Sequence, residues 1–89
     1  MTTSDLYRII EEGLRIAEAG SAEEMNEWRR QRFSPLWIRL YPPGSTLDAF
    51  GYDCDRIANN ISYTTIFPQR REDFLNEARR IFDGLRPYS

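Results

Sequence analysis

The chain has 89 residues, a net charge of −2, 40% hydrophobic and 29% charged residues, which suits one domain around one modest core and leaves too little surface for two. No apolar run reaches the roughly eighteen residues of a membrane span, and the single Cys54 excludes an internal disulfide and any multi-cysteine metal site. Histidine is absent, so acid–base chemistry would have to rest on strongly shifted carboxylates; the expectation is a non-enzyme with no cofactor and no metal, formed as a single domain over residues 1–89.

The opening MTTSDLYRIIEE reads as a helix start and not as a basic leader, which makes the cytoplasm the expected compartment. Leu6, Ile9, Ile10, Gly13, Leu14 and Ala17 fall on one arc at helical spacing, predicting a helix over about 4–19, with Thr3 or Ser4 as its cap and Gly20 as its stop. Ser21 and Glu24 spell a capping box for a second helix to about residue 33, whose apolar arc is Met25, Trp28 and Phe33. FSPLWIRLYPPG is ambiguous. Leu36, Ile38 and Leu40 alternate as in a strand, while Ser34–Pro35 is also a first-turn signal for a short helix.

Ser45 to Asp48 begins another capping box, and Leu47, Phe50, Gly51, Cys54, Ile57, Ala58 and Ile61 make the cleanest amphipathic stripe, predicting a helix over 46–61. ISYTTIF, rich in β-branched and aromatic residues, has the composition of a strand. Pro68 opens a last helix over about 69–83. The reading that follows is an all-α bundle of four main helices with an irregular 34–44 connection. The alternative is an α+β fold with short strands at 36–41 and 61–66, but a parallel pair with no third strand rarely stands alone. Gly13 and Gly51 each lie on an apolar arc inside a helix, where glycine costs about 1 kcal/mol relative to alanine; the expectation is that the first and third main helices approach closely there.

Charge is distributed unevenly. Residues 1–27 carry seven acids against Arg8 and Arg15, whereas residues 28–39 hold Arg29, Arg30, Arg32 and Arg39 with no acid. Every basic residue is arginine, but the paired arginines lie near acids and the pI is about 5.1, which argues against nucleic acid as a partner. Around the third helix, at 100° per residue from Leu47, the apolar stripe centres near about 325° and Tyr52 falls near about 140°, almost opposite. Asp48, Asp55 and Asn59 surround it. This places a rigid amphipathic ring among groups that favour a basic partner, unless the ring is covered by the 34–44 segment or by the second helix. Cys54 between Asp53 and Asp55 reads as a core cysteine, because alternating helical residues do not converge on one ion.

The functional expectation is a protein-binding module, a small acidic inhibitor or immunity/antitoxin-type protein that masks a partner with a basic surface. Its contact residues would be Tyr52, Asp48, Asp55 and Asn59, with Glu23, Glu24 and Glu27 as a second acidic patch. The alternative is a structural homodimer or assembly subunit burying Trp28, Phe33 and Trp37 against a second copy.

Overall fold

The structure, a computed structural model, describes residues 2–89; among them there is no strand. Helix α1 spans Thr3–Ala19, α2 Ala22–Trp28, α3 Ser34–Leu40, α4 Ala49–Ile66 and α5 Arg71–Asp83, with a π-turn at Arg29–Phe33 and 3₁₀ turns at Pro68–Arg70 and Arg86–Tyr88. Because α2, the π-turn and α3 share helical backbone angles through their junctions, they form one rod from residue 22 to 40. The molecule is therefore four rods, as the sequence predicts, but the boundaries differ in two places.

The first difference is at Pro35. Its ring would collide with the carbonyl four residues back in a regular helix, and it supplies no N–H. The helix widens instead of stopping: the Ser34 amide donates to the Arg29 carbonyl five residues back. The rod thus continues to Leu40, so neither the predicted end at 33, nor the irregular connection over the whole of 34–44, nor the strand at 36–41 is present. Only residues 41–48 are irregular.

The second difference is at ISYTTI, which is helical to Ile66, removing the strand at 61–66 and lengthening the predicted 46–61 helix. Two hydroxyls satisfy local carbonyls in a way compatible with the helix: Thr64 Oγ1 donates to Ile61 O at 2.6 Å and Thr65 Oγ1 to Ser62 O at 2.8 Å. Burial of Ile61 and Thr64 at helical spacing then outweighs strand propensity.

Caps set the remaining ends. Thr2, one residue before the expected pair, caps α1 in a reciprocal box with Asp5, and Gly20 closes it at φ 86°. Arg71 Nη2 reaches back from α5 to the Ala17 and Glu18 carbonyls at 2.8 and 2.9 Å, satisfying acceptors that a helix end leaves open. Ser21 caps α2 as expected. Asp48, not Ser45, caps α4.

Rods successive in the chain run antiparallel. Across α4 and α5, Arg56 meets Glu77 and Tyr63 meets Phe74; across the second rod and α4, Met25 meets Thr64 and Tyr41 meets Asp48. Leu6, Ile10, Phe50, Ile57, Ile61 and Leu75 are fully enclosed between them. Gly13 and Gly51 do not meet. A Cβ at Gly13 would lie 2.2 Å from Trp28 Cζ2, and one at Gly51 would lie 2.5 Å from Tyr41 Cζ. Each glycine admits a ring of the second rod; α1 and α4 do pack against each other as expected, but what fills the space at these two positions is aromatic side chains and not the other glycine.

A candidate protein-binding face

The face begins at the α4 cap. Asp48 Oδ1 accepts from the Gly51 amide and from the Tyr41 hydroxyl, both at 2.7 Å. The amide bond, followed by the tyrosine bond, holds the carboxyl below its ordinary range. Burial, followed by the neighbouring carboxylate, pushes the Tyr41 hydroxyl well above its own. Asp48 is thus occupied in joining the loop to the helix start.

One turn on, Tyr52 is 57% exposed. This settles its orientation: neither the 41–48 loop nor the second rod covers it. The Arg56 guanidinium stands 5.8 Å from the ring centroid while its Nη2 donates to Glu77 at 3.0 Å, so the ring is braced from the α5 side. Asp55 is half-buried and makes no hydrogen bond or ion pair among the described residues. Asn59 accepts from Arg29 Nη2 at 3.4 Å, and the same arginine donates to Ala58 O and Ser62 Oγ at 3.0 Å each. Of the four residues predicted for this face, Tyr52 and Asp55 are therefore available to a partner, while Asp48 and Asn59 hold the fold together. Glu23, Glu24 and Glu27 are exposed on α2 and form no ion pair among the described residues.

The structure adds residues that the sequence reading did not assign. Taking Tyr52 as zero at 100° per residue, Asn59, Tyr63 and Ile66 all fall within about 40° of it. Tyr63 is 39% and Ile66 61% exposed. Phe67, just past the helix end, packs with Tyr63 and Phe74 in a three-ring cluster with centroid separations of 5.3–6.2 Å, and Arg70 lies 5.3 Å over Phe74. The outward face of α4 is consequently one line from Tyr52 to Ile66, about 21 Å long at the helical rise. The helical spacing carries this signal, but the predicted helix ends at 61, short of Tyr63 and Ile66.

Other chemistry is poorly supplied. Among the described residues no three histidine, cysteine or acidic side chains are placed to share a metal ion. Cys54 is enclosed, and burial, followed by the fields of Asp53, Asp48 and Asp55, pushes its thiol up to about 12, the opposite of what a nucleophile needs. Among the described residues no helix is long and apolar enough to cross a membrane. No family model, curated protein or solved structure matches the chain.

Proposed function

We propose that this protein is a protein-binding module, without an enzymatic activity of its own, that docks through the outward face of α4. The observation that carries the reading is the alignment of Tyr52, Tyr63 and Ile66, three large side chains left open along one helix. A helix presenting anchors at i, i+11 and i+14 suits an apolar groove on a partner, and aromatic anchors of limited flexibility commonly dominate such contacts. Asp55 beside the line, with Glu23, Glu24 and Glu27 as a second patch, favours a groove with a basic rim. A masking role of the kind played by small acidic inhibitors, immunity and antitoxin-type proteins among them, accords with the chain's size and charge.

Self-association through Trp28, Phe33 and Trp37 lacks a surface. Trp28 and Phe33 are each 2% exposed, and Trp37 is stacked between Phe33 and Tyr41.

The test is affinity capture followed by identification of the bound protein and titration with wild type, Tyr52→Ala and Ile66→Asp. Both positions are solvent-facing, so the variants retain their melting temperature. Each is expected to weaken the identified complex about 30-fold, the effect of a ~2 kcal/mol anchor. Unchanged affinity in both variants refutes the α4 face, and a stable dimer in sedimentation that Ile66→Asp dissolves would give that face to a second copy.

A further inference from the structure

Asp55 is half-buried on α4 and makes no hydrogen bond or ion pair among the described residues. At 100° per residue it lies about 60° round the helix from Tyr52, on the same flank as Ser62. That flank turns toward the second rod, and two sets of contacts fix the register there. Arg29 donates to Ala58, Asn59 and Ser62, while Tyr41 donates to Asp48 and covers Gly51. Because the two rods run antiparallel, Asp55 is level with the part of the rod between Arg29 and Tyr41, where Ser34 and Ile38 follow Arg29 along one strip through the π-turn. Neither carries a charge. Ile38 is 54% and Tyr52 57% exposed, so an open aliphatic chain and an open ring flank this carboxylate along the seam. The cations nearby are turned elsewhere: Arg29 onto its three acceptors, and Arg56, on the other flank of Tyr52, onto Glu77 and Asp53. Arg30, next along the rod from Arg29, forms no ion pair with it.

We infer that this seam receives an arginine side chain of the partner protein, its guanidinium on Asp55 and its stem between Tyr52 and Ile38; the inference rests on the α4 docking reading and names what the partner brings to it. A carboxylate drawn partly out of water without a counter-charge is a cost to the free protein that an arriving cation removes. The planar guanidinium fork meets both carboxylate oxygens with parallel hydrogen bonds. Tyr52 offers it a ring on which to stack, and Ile38 an apolar surface for the methylene stem. Lysine would bring the charge without the fork or the stacking plane, so the seam discriminates between the two basic residues.

The probe is N-acetyl-arginine amide, titrated at constant ionic strength while the methyl signal of Ile38 and the amide signal of Asp55 are followed by NMR. Both signals are expected to shift saturably. N-acetyl-citrulline amide, which keeps the shape and lacks the charge, is expected to bind at least about fivefold more weakly, and so is the arginine probe to Asp55→Asn, each losing one half-exposed charge-assisted contact. N-acetyl-lysine amide is expected to fall between the arginine and citrulline probes. Ile66→Asp, about 16 Å along α4 from Asp55, is expected to bind the arginine probe as wild type does. A melting curve establishes that Asp55→Asn, which exchanges a side chain without native bonds, keeps the fold. Absence of a saturable shift, citrulline or lysine probes binding as tightly as arginine, or undiminished binding by Asp55→Asn would each overturn the assignment. Those results leave the α4 face standing wherever Tyr52→Ala and Ile66→Asp still weaken the captured complex. A captured complex indifferent to both of those variants would instead refute the docking reading, and the partner's arginine with it.

Discussion

Replacing Gly13 by alanine sets two effects of opposite sign against each other. In a solvent-facing helix the change stabilises by about 1 kcal/mol, because glycine is the poorer helix former. Here the new methyl would sit 2.2 Å from Trp28 Cζ2 and 2.4 Å from Cε2, so the indole must retreat by about 1 Å or more to reach ordinary contact. It has little room to do so. Trp28 is 2% exposed, stacks on Phe33 at 5.4 Å, and donates from Nε1 to Ile9 O at 2.9 Å. Overpacking of about 1–3 kcal/mol and loss of a hydrogen bond worth about 1 kcal/mol outweigh the propensity gain, leaving a net loss of about 2 kcal/mol. For a domain of this size that lowers the melting temperature by about 8–16 °C. Urea and thermal unfolding followed by circular dichroism measure it. In a Trp28→Phe background the smaller ring relieves the clash, so Gly13→Ala should cost less there. A higher melting temperature for Gly13→Ala, or the same cost in both backgrounds, would refute the argument.

Gly51→Ala is expected to cost less than Gly13→Ala, since the atoms it meets are the outer end of the half-buried Tyr41 ring, including Oη at 2.8 Å, and moving that end gives up an exposed hydrogen bond to Asp48 and not the packing of an enclosed indole; a larger loss than at Gly13 would contradict this. Cys54, with its thiol pushed up to about 12 by burial and neighbouring carboxylates, should resist a thiol reagent at pH 8 in the folded protein and react fully in denaturant, so rapid native labelling would contradict its enclosure. Asp48→Ala removes a helix cap and should cost about 1 kcal/mol near neutral pH. Because the folded carboxyl lies below its ordinary value of 3.8, its contribution is complete above that value and disappears as pH falls through the lower folded one; the gap in urea midpoint between wild type and variant should therefore close below about pH 4. A gap that persists at pH 2 would show that Asp48 acts other than as a carboxylate.

The four-rod plan was legible because amphipathic spacing carries it. Leu6 to Ala17 and Phe50 to Ile61 repeat at helical intervals, and those positions lie in or against the core. Two stretches failed for local reasons that tertiary packing overrode. Ser34–Pro35 is a sound signal for a new helix, but it does not reveal that a preceding helix can widen by one residue and carry on. ISYTTIF has real strand propensity, but Ile61 and Thr64 gain more from burial on α4 than the segment would gain without a strand to pair with. The predicted helix faces Tyr52 outward, as observed, but its end at 61 leaves out Tyr63 and Ile66, which continue the same line.

The π-turn also explains why exposed large side chains gather on α4. Trp28, Phe33, Trp37 and Tyr41 stack in sequence along the second rod at 5.4, 5.5 and 4.7 Å. Their spacing of five, four and four residues fits a single face only if one turn holds an extra residue, and the turn that does so is Arg29–Phe33. With the ladder in register, Trp28 seats over Gly13 of α1 and Tyr41 over Gly51 of α4, so the rod's aromatics are used in joining its neighbours. Tyr7 is likewise stacked on Phe82 and Phe50 on Tyr88. Of the six large hydrophobic side chains left exposed among the described residues, Tyr52, Tyr63, Ile66 and Phe67 belong to α4 or the residue just beyond it, while Ile38 and Tyr88 stand elsewhere. Internal packing thus consumes the rings that composition alone would offer for self-association, and concentrates the remainder on one helix face.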